Sequence, residues 1–415
     1  MNKYERYRDT GLTWINKVPE KWNLKKINAL FDERREKVSD TDYEALSVTK
    51  NGIFKQLDNV AKTNDGDNRK KVQRNDFVIN SRSDRKGSSG LSDFNGSVSL
   101  INIVLRIKKE YPRYMHYLLK SVPFQEEFYR NGKGIVADLW STNFQSMKSI
   151  ILPIPPIKEQ VQIANYLDWK INEIDRLIQI EKEKIKQLKI CKQKYIDSLI
   201  ETIDTVPQPL KSIFNFGKGL NITKENLGQK GIKCISYGEI HNEFFFSFSS
   251  NNTKLKKLEK TDGVVISKFA NLNKGDFIFA DTSEDLNGCG NFTFLEDDFI
   301  KIYAGYHTVV AKPIIEFDTK YLAYYFQSNK WRMQVKKTVK GIKVYSITQQ
   351  ILKSSKVQIP DDKIQKNIVN RADKFIEKIN CLTDIMENCI KALLDLKQSL
   401  ISEVVTGQID VRDIA

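Results

Sequence analysis

Two short basic stretches hold the residues in this chain best suited to chemistry. NSRSDRKGSSG, Asn80 to Gly90, sets Arg82, Arg85 and Lys86 among Ser83, Ser88 and glycines. Backbone amides and guanidinium groups in such a loop suit phosphate oxygens, and arginine also pairs bidentately with the edge of guanine. Arg69, Lys70, Lys71 and Arg74 add charge just upstream. The second stretch, KKTVKGIKVYS, offers Lys336, Lys337, Lys340 and Lys343 to phosphates and Tyr345 to a sugar or base. NGKGIVADLWS, with Lys133 and Trp140, stands at the corresponding distance before a long helical pattern in the first half. Lys268 and Thr282 complete the candidate contacts. A lysine run by itself is usually a solvated face. The pairing of two such loops at equivalent places is what points to a polyanion.

Catalytic motifs are missing. The chain has no G-x-x-x-x-G-K-[ST] phosphate loop, and no Glu is followed two residues later by Lys, as one common metal-dependent nuclease site requires. FNFGKGL, from Phe214, has the wrong spacing for the cofactor loop of a methyltransferase. Pro155-Pro156 follows Ile154, whereas an amino-methyltransferase needs Asp or Asn there. GCGN at Gly288 reads as a tight turn. Cys191, Cys234, Cys289, Cys381 and Cys389 include no C-x-x-C pair, which argues against a disulfide framework or a zinc ribbon. His116, His241 and His307 are far apart in sequence.

The rest of the chain must position these loops. Its 415 residues suggest two to four domains, and 40% hydrophobic residues are enough for real cores. The net charge of +15 favours a nucleic-acid partner. No apolar run approaches the roughly 20 residues that span a bilayer, and the N-terminus is polar, so no membrane association and a cytoplasmic location are expected.

The two halves repeat. LPIPPIKEQVQIANYLD, from Leu152, returns as VQIPDDKIQKNIVNRAD, from Val357, at an offset of 205 residues. Each copy opens a long helical pattern without proline or glycine. Ile163, Leu167, Ile171, Ile174, Ile178, Ile185 and Leu188 step by three and four in the first, with Glu181 as one interruption. Ile368, Ala372, Phe375, Ile379, Leu382, Met386, Cys389, Leu393, Leu396 and Leu400 do so in the second. About 40 residues make a rod of ~60 Å. Such a stripe needs a partner, and the two rods can pair as an antiparallel coiled coil within the chain; two unrelated bundle helices are the alternative. The segments before the rods read as mixed α/β, with strands at Phe77–Ile79, Val104–Ile107 and Val264–Ile266. RNDFVINSRSD answers KGDFIFADTSED there, and YPRYMHYLLKS answers DTKYLAYYFQS. The expected class is α+β: two pseudo-repeated mixed α/β domains, 1–151 and 205–356, separated by long helices in 152–204 and 357–415.

In TGLTWINKVPEKWNLKKI from Thr10, the proline, Glu-Gln and Asp pattern from Leu152, and VVTGQIDVRD from Val404, the chain resembles the specificity subunit of type I restriction-modification systems over essentially its whole length. The second copy departs from the pattern, with Pro360-Asp361 and Ile364-Gln365 for Pro155-Pro156 and Glu159-Gln160. The resemblance implies two target-recognition domains, each reading half of a bipartite site on double-stranded DNA. It also implies helices that hold them apart and dock two methyltransferase subunits, with motor-nuclease subunits joining in the full complex. Gln160, Ile163, Leu167, Ile174, Ile185, Leu188, Gln365, Ile368, Ile379, Leu382, Leu393 and Leu400 are the expected coiled-coil or partner-facing positions. The chain itself would hold no cofactor, and S-adenosylmethionine would belong to the methyltransferase partners. A stand-alone bipartite DNA-binding regulator is the alternative function. A nuclease or methyltransferase in its own right is a weaker one, given the motifs that are missing.

Overall fold

The structure, a computed structural model, describes residues 2–56, 66–134, 140–341 and 343–413. Its principal helices are α1 (Pro112–Lys120), α2 (Val122–Arg130), α3 (Ile157–Glu201), α4 (Tyr237–Asn242), α5 (Thr319–Gln327), α6 (Asn329–Thr338) and α7 (Asp362–Val405). Two compact units divide the chain. Unit 1 holds Met1–Lys182 and Glu387–Ala415, and unit 2 holds Glu183–Met386, so each unit takes part of both long helices.

In unit 1 a four-stranded antiparallel sheet runs in the order Ser89–Leu91, Asp76–Asn80, Asn102–Ile107, Phe31–Glu33. Successive strand side chains point to opposite faces. Phe77, Ile79, Ile103 and Leu105 therefore pack with α1 and α2, while Val78 and Val104 pack with Val72 and Val98 of a second, three-stranded sheet. Unit 2 repeats the plan. Phe277, Phe279, Val309 and Ala311 pack with α5 and α6, and Ile278, Ala280 and Val310 fill a core on the other face. Its five-stranded sheet ends in one parallel pair, Ser247–Phe248 with Phe292–Leu295.

The sequence rhymes have physical causes. In RNDF and KGDF, the residue before the aspartate takes a positive φ, Asn75 at 70° and Gly275 at 85°. Asparagine and glycine tolerate that conformation best. The buried aspartate then accepts a backbone N–H three residues back, Gln73 N at 2.8 Å for Asp76 and Asn273 N at 2.9 Å for Asp276. A cation covers each carboxylate, Arg34 in unit 1 and Lys312 in unit 2. The glutamine of the 205-residue repeat is a clamp. Gln160 Oε1 accepts Tyr111 N at 2.8 Å, at the start of α1, and its Nε2 donates to Pro155 O at 2.9 Å. Gln365 treats Asp318 N and Pro360 O in the same way, both at 2.8 Å. The aspartate of the repeat accepts a tyrosine hydroxyl from the same domain helix, Tyr117 on Asp168 and Tyr324 on Asp373. Gln160 and Gln365, expected among the partner-facing positions, are thus buried with both ends of their amides engaged inside their own units.

The long helices pair antiparallel in each unit. In unit 1 Asp175 meets Lys397 at 2.7 Å, and Ile171, Ile174 and Ile178 share a core with Leu400 and Val404. Ile163 and Leu167 are buried in that core. In unit 2 Tyr195 stacks on Phe375 at 4.0 Å, and Ile196, Leu199 and Ile200 share a core with Ile368, Val369 and Ala372. Ile379 is also buried, while Ile185 and Leu188 are half-buried. On α7 the seam departs from the expected steps. Leu382, Cys389 and Leu396 are exposed, while Thr383, Met386, Ile390, Leu393 and Lys397 are half-buried. After Ile379 the steps of three and four exchange order. An α-helix of 3.6 residues per turn drifts off a strict heptad, and the aliphatic stem of Lys397 can cover apolar surface as leucine would. The strand expected at Val264–Ile266 is a loop. Val264 N closes a turn onto Thr261 O beside Gly263 at φ 71°, and Val265 is 85% exposed.

The two ends of the chain meet in unit 1. Glu159 accepts Tyr4 Oη at 2.7 Å and Trp22 Nε1 at 2.9 Å. After α7, Gly407 turns at φ 75°, and a Cβ there would lie 2.4 Å from Pro19. Asp410 N donates to Asn2 O at 2.9 Å, while Arg412 lies over the Tyr4 ring and binds the Asp410 carboxylate.

Two outcomes are expected. Gln160→Ala strands the Tyr111 N–H and the Pro155 carbonyl, and should destabilise unit 1 by about 1–3 kcal/mol, read by denaturant-dependent hydrogen exchange. Hydrogen bonds from Arg412 hold the Asp410 carboxyl below the usual carboxylate range. Its folded pKa is depressed, so its contribution is present above the unfolded value of about 4 and is lost as pH falls through the folded one. Protection from exchange at residues 408–412, taken relative to the intrinsic rate at each pH, should therefore fall on acidification, and in Asp410→Asn it should already be low at neutral pH.

Candidate nucleic-acid interface

The basic loops come together in pairs, once in each unit. In unit 1 the strand Asp76–Asn80 leads into a loop with a short 3-10 turn at Ser83–Arg85, and Ser89–Leu91 returns beside it. Arg82 and Lys133 both bridge to Ser141. Ser83 N donates to Trp140 O at 2.9 Å, and Thr142 N to Ser81 O at 2.9 Å. The loop of Arg82 and the loop of Lys133 and Trp140 are thereby one surface; residues 135–139 between them lie outside the described residues. In unit 2 Thr282 pairs with Ser346, Ser283 with Tyr345, and Lys340 bridges to Ser346. Ile347 N donates to Asp281 O at 2.7 Å. The correspondence is residue by residue: Arg82 with Thr282, Ser83 with Ser283, Lys133 with Lys340, Trp140 with Tyr345.

The exposed groups at these junctions differ. Unit 1 presents Arg82 and Arg85, which flank Asp84 at 3.0 and 3.7 Å, and Lys86, which meets Glu126 at 2.5 Å. Lys133 and Trp140 are exposed beside them. Unit 2 presents Lys337, Lys340 and Lys343 with a half-buried Tyr345, and Lys336 reaches Asn287 Oδ1 at 3.1 Å. Surface ion pairs such as those around Asp84 are worth little, so phosphate can displace them. Not every candidate belongs to this surface. Arg69 is 4% exposed, with its guanidinium on Ser97 Oγ and Ser97 O, because its strand is central in the three-stranded sheet. Ser88 is buried at the root of the loop. Lys70 donates to Asn102 O and Lys71 to Glu36, while Arg74 lies in the turn of the RNDF anchor. Lys268 sits over Phe269, next to the strand Phe214–Lys218 and not at the junction.

A cleft of about 770 Å³ adjoins the unit 2 junction, lined among others by Tyr237, His241, Thr282, Asn291, His307 and Val344. His241 at the end of α4 bonds Thr282 O through Nε2 at 2.8 Å and Asn291 Nδ2 through Nδ1 at 2.9 Å. The carbonyl requires an N–H and the amide supplies one, so Nε2 donates and Nδ1 accepts. His307, at φ 53°, faces Asp281 at 3.1 Å and stands edge-on to Tyr237. Tyr237 and His307 can stack against a base and exchange hydrogen bonds with it, while His241 holds the wall of the cleft. Sequence reading missed them because Tyr237, His241 and His307 converge from separate elements, with no shared spacing. Cys289 is buried in the expected turn, closed by Asn291 N on Gly288 O, and burial pushes its thiol up. Among the described residues no group of His, Cys, Asp and Glu could hold a metal ion, and no helix is long and apolar enough to cross a membrane.

Comparison with known proteins agrees with this arrangement. The family model for the type I restriction modification DNA specificity domain matches twice, at residues 19–189 and 204–391. Among solved structures, a chain from work on complex assembly and conformational transition of the type I R-M system matches with a TM-score of 0.68 at 12% identity, covering 94% of this chain and 99% of that one. The HsdS subunit from Thermoanaerobacter tengcongensis matches with a TM-score of 0.52 at 13% identity, covering 94% and 98%. No curated protein matches by sequence. With two copies of the domain over most of its length, one in each half and each carrying one paired-loop junction, the chain belongs to the family of type I restriction-modification DNA specificity proteins.

Proposed function

We propose that this chain is the non-catalytic DNA-reading subunit of a type I restriction-modification complex, each unit reading one half of an asymmetric bipartite site on double-stranded DNA. The observation that carries the reading is the junction repeated in both units with unlike side chains: Arg82, Lys133 and Trp140 in one, Thr282, Lys340 and Tyr345 in the other. A shared frame with different reading groups suits two half-sites of different sequence. Lysines on phosphate would supply much of the affinity, which then falls with salt. A few contacts to base edges, each worth about 1–3 kcal/mol, would supply the selectivity. The long helices would set the unread gap between half-sites and dock two methyltransferase subunits, with motor-nuclease subunits completing the assembly in the cytoplasm. S-adenosylmethionine would bind to the methyltransferases, which would also flip and methylate the adenine.

Exchanging residues 1–150 for the same segment of another family member should change one half of the methylated motif, read by sequencing of methylated adenines. A change in both halves contradicts modular reading. Lys340→Ala with Lys343→Ala should weaken DNA binding on all sequences and lower the salt slope by about one for each phosphate contact removed. An unchanged slope in a titration between low and moderate salt would remove these lysines from the interface.

A further inference from the structure

Each junction loop is gripped from behind by one cation. In unit 1 Lys120, the last residue of α1, aims its three ammonium protons at three carbonyls: Lys50 O at 2.7 Å, Gly87 O at 3.1 Å and Ser89 O at 3.2 Å. Two of these lie in the loop that carries Arg82, Arg85 and Lys86. Gly87 sits at φ 82°, and a Cβ there would meet Gln125 Oε1 at 3.0 Å, so the loop is packed against α2 as well. In unit 2 Arg332 on α6 donates to Asn287 O at 2.6 Å, Cys289 O at 3.3 Å and Asn291 Oδ1 at 2.8 Å. Asn291 passes the constraint to His241, and His241 to the carbonyl of Thr282.

The two cations do not occupy repeated positions. With Tyr114 set against Tyr321, Lys120 falls opposite Gln327 and Arg332 opposite Gln125. Gln327 Nε2 reaches Phe245 O, and Gln125 Nε2 reaches Lys120 O. Common ancestry of the halves therefore does not explain the shared grip. Two unlike residues on different helices meet one need, a loop whose carbonyls are tied down. Both groups are partly withdrawn from water. Burial lowers the Arg332 pKa, and burial followed by the charge of Lys397 brings Lys120 down to about 8. A desolvated cation is kept where carbonyls compensate it. All three Lys120 ammonium protons are directed at carbonyls, and Arg332 is half-buried with its Nη2 turned onto its loop.

We propose that Lys120 and Arg332 are positioning residues that hold the two DNA-reading loops, Arg82–Ser89 and Thr282–Asn291, in shape from behind, so that each fixes the preference of one half-site without touching DNA. This rests on the reading of the two junctions as half-site readers. A base-edge contact depends on placement to a fraction of an ångström. Loosening a loop should then blur what it reads before it weakens non-specific binding.

The test uses the full-length chain and the variants Lys120→Met, Lys120→Arg and Arg332→Met, with amide exchange of the two loops and selection from a duplex library with randomised base pairs. Lys120→Met should speed exchange at residues 83–89 and reduce discrimination in one half of the selected motif roughly tenfold, a loss of the size of one base-edge contact. The other half should be kept. Arg332→Met should do the same at residues 282–291 and in the other half, and Lys120→Arg should restore most of the first preference. Unchanged loop exchange and unchanged half-site preference in both methionine variants overturn the proposal, as does equal blurring of both halves by either one. If the unaltered chain selects no sequence either alone or with methyltransferase subunits bound, the reading of the junctions as half-site readers falls, while loop exchange still decides whether the cations hold the loops.

Discussion

A helix of 45 residues with one apolar stripe must have that stripe covered along its length. In this protein the cover comes from the second long helix, antiparallel in both units, and from the domain helices that the same segments clamp. In unit 1, Ile163 and Leu167 serve the domain core while Ile171, Ile174 and Ile178 meet Leu400 and Val404. In unit 2, Ile368 and Ala372 do both at once. The remaining features follow from this constraint. The buried glutamine of each repeat ties the start of a domain helix to the start of a long helix. The tyrosine–aspartate bond about two turns further along the long helix opposes sliding of the two. The domain helices then fix the sheets, and the sheets end in the loops.

This hierarchy explains why the halves rhyme where they do. The matching residues, Gln160 with Gln365, Asp168 with Asp373, Asp76 with Asp276 and Ser121 with Ser328, are those that join one element to another. The loop residues that differ, Arg82 against Thr282 and Trp140 against Tyr345, join no element to another through their side chains: Arg82 meets only the exposed Asp84 beside it, and Tyr345 lies half-buried at the edge of its core. A repeated frame with unlike tips is what two readers of different sequences require. The same logic separates Arg69 from Arg82: each is a basic residue beside the same strand, but one completes the hydrogen bonds of a sheet interior and the other stands in solvent.

Much of this was legible in the residues. Periodicity located both long helices, the Ile-Pro steps marked where each begins, and the rhyming anchors and the distance to the long helices located equivalent loops. What escaped the sequence did so for physical reasons. The order of three- and four-residue steps on α7 cannot be decided from leucines alone when Thr383 and Lys397 can also line a seam. Val264 to Ile266 have strand-forming side chains but follow a glycine turn and find no neighbouring strand. The grips of Lys120 and Arg332 and the ring contacts of His241 join residues from 31 to 70 positions apart, or 41 to 50, through backbone carbonyls and one amide. Such partners carry no side-chain signature that spacing could reveal.

The central proposal is that paired helices set the distance between two DNA-reading units. Its most direct test inserts four residues into α3 and four into α7, at facing positions midway along both helices, and reads the methylated motif by sequencing of modified adenines. Four residues add ~6 Å of helix against ~3.4 Å per base pair, so the account predicts both half-sites unchanged and the gap between them longer by up to about two base pairs. A motif with the original gap, from a chain that still folds and still supports methylation by its partner subunits, would contradict it.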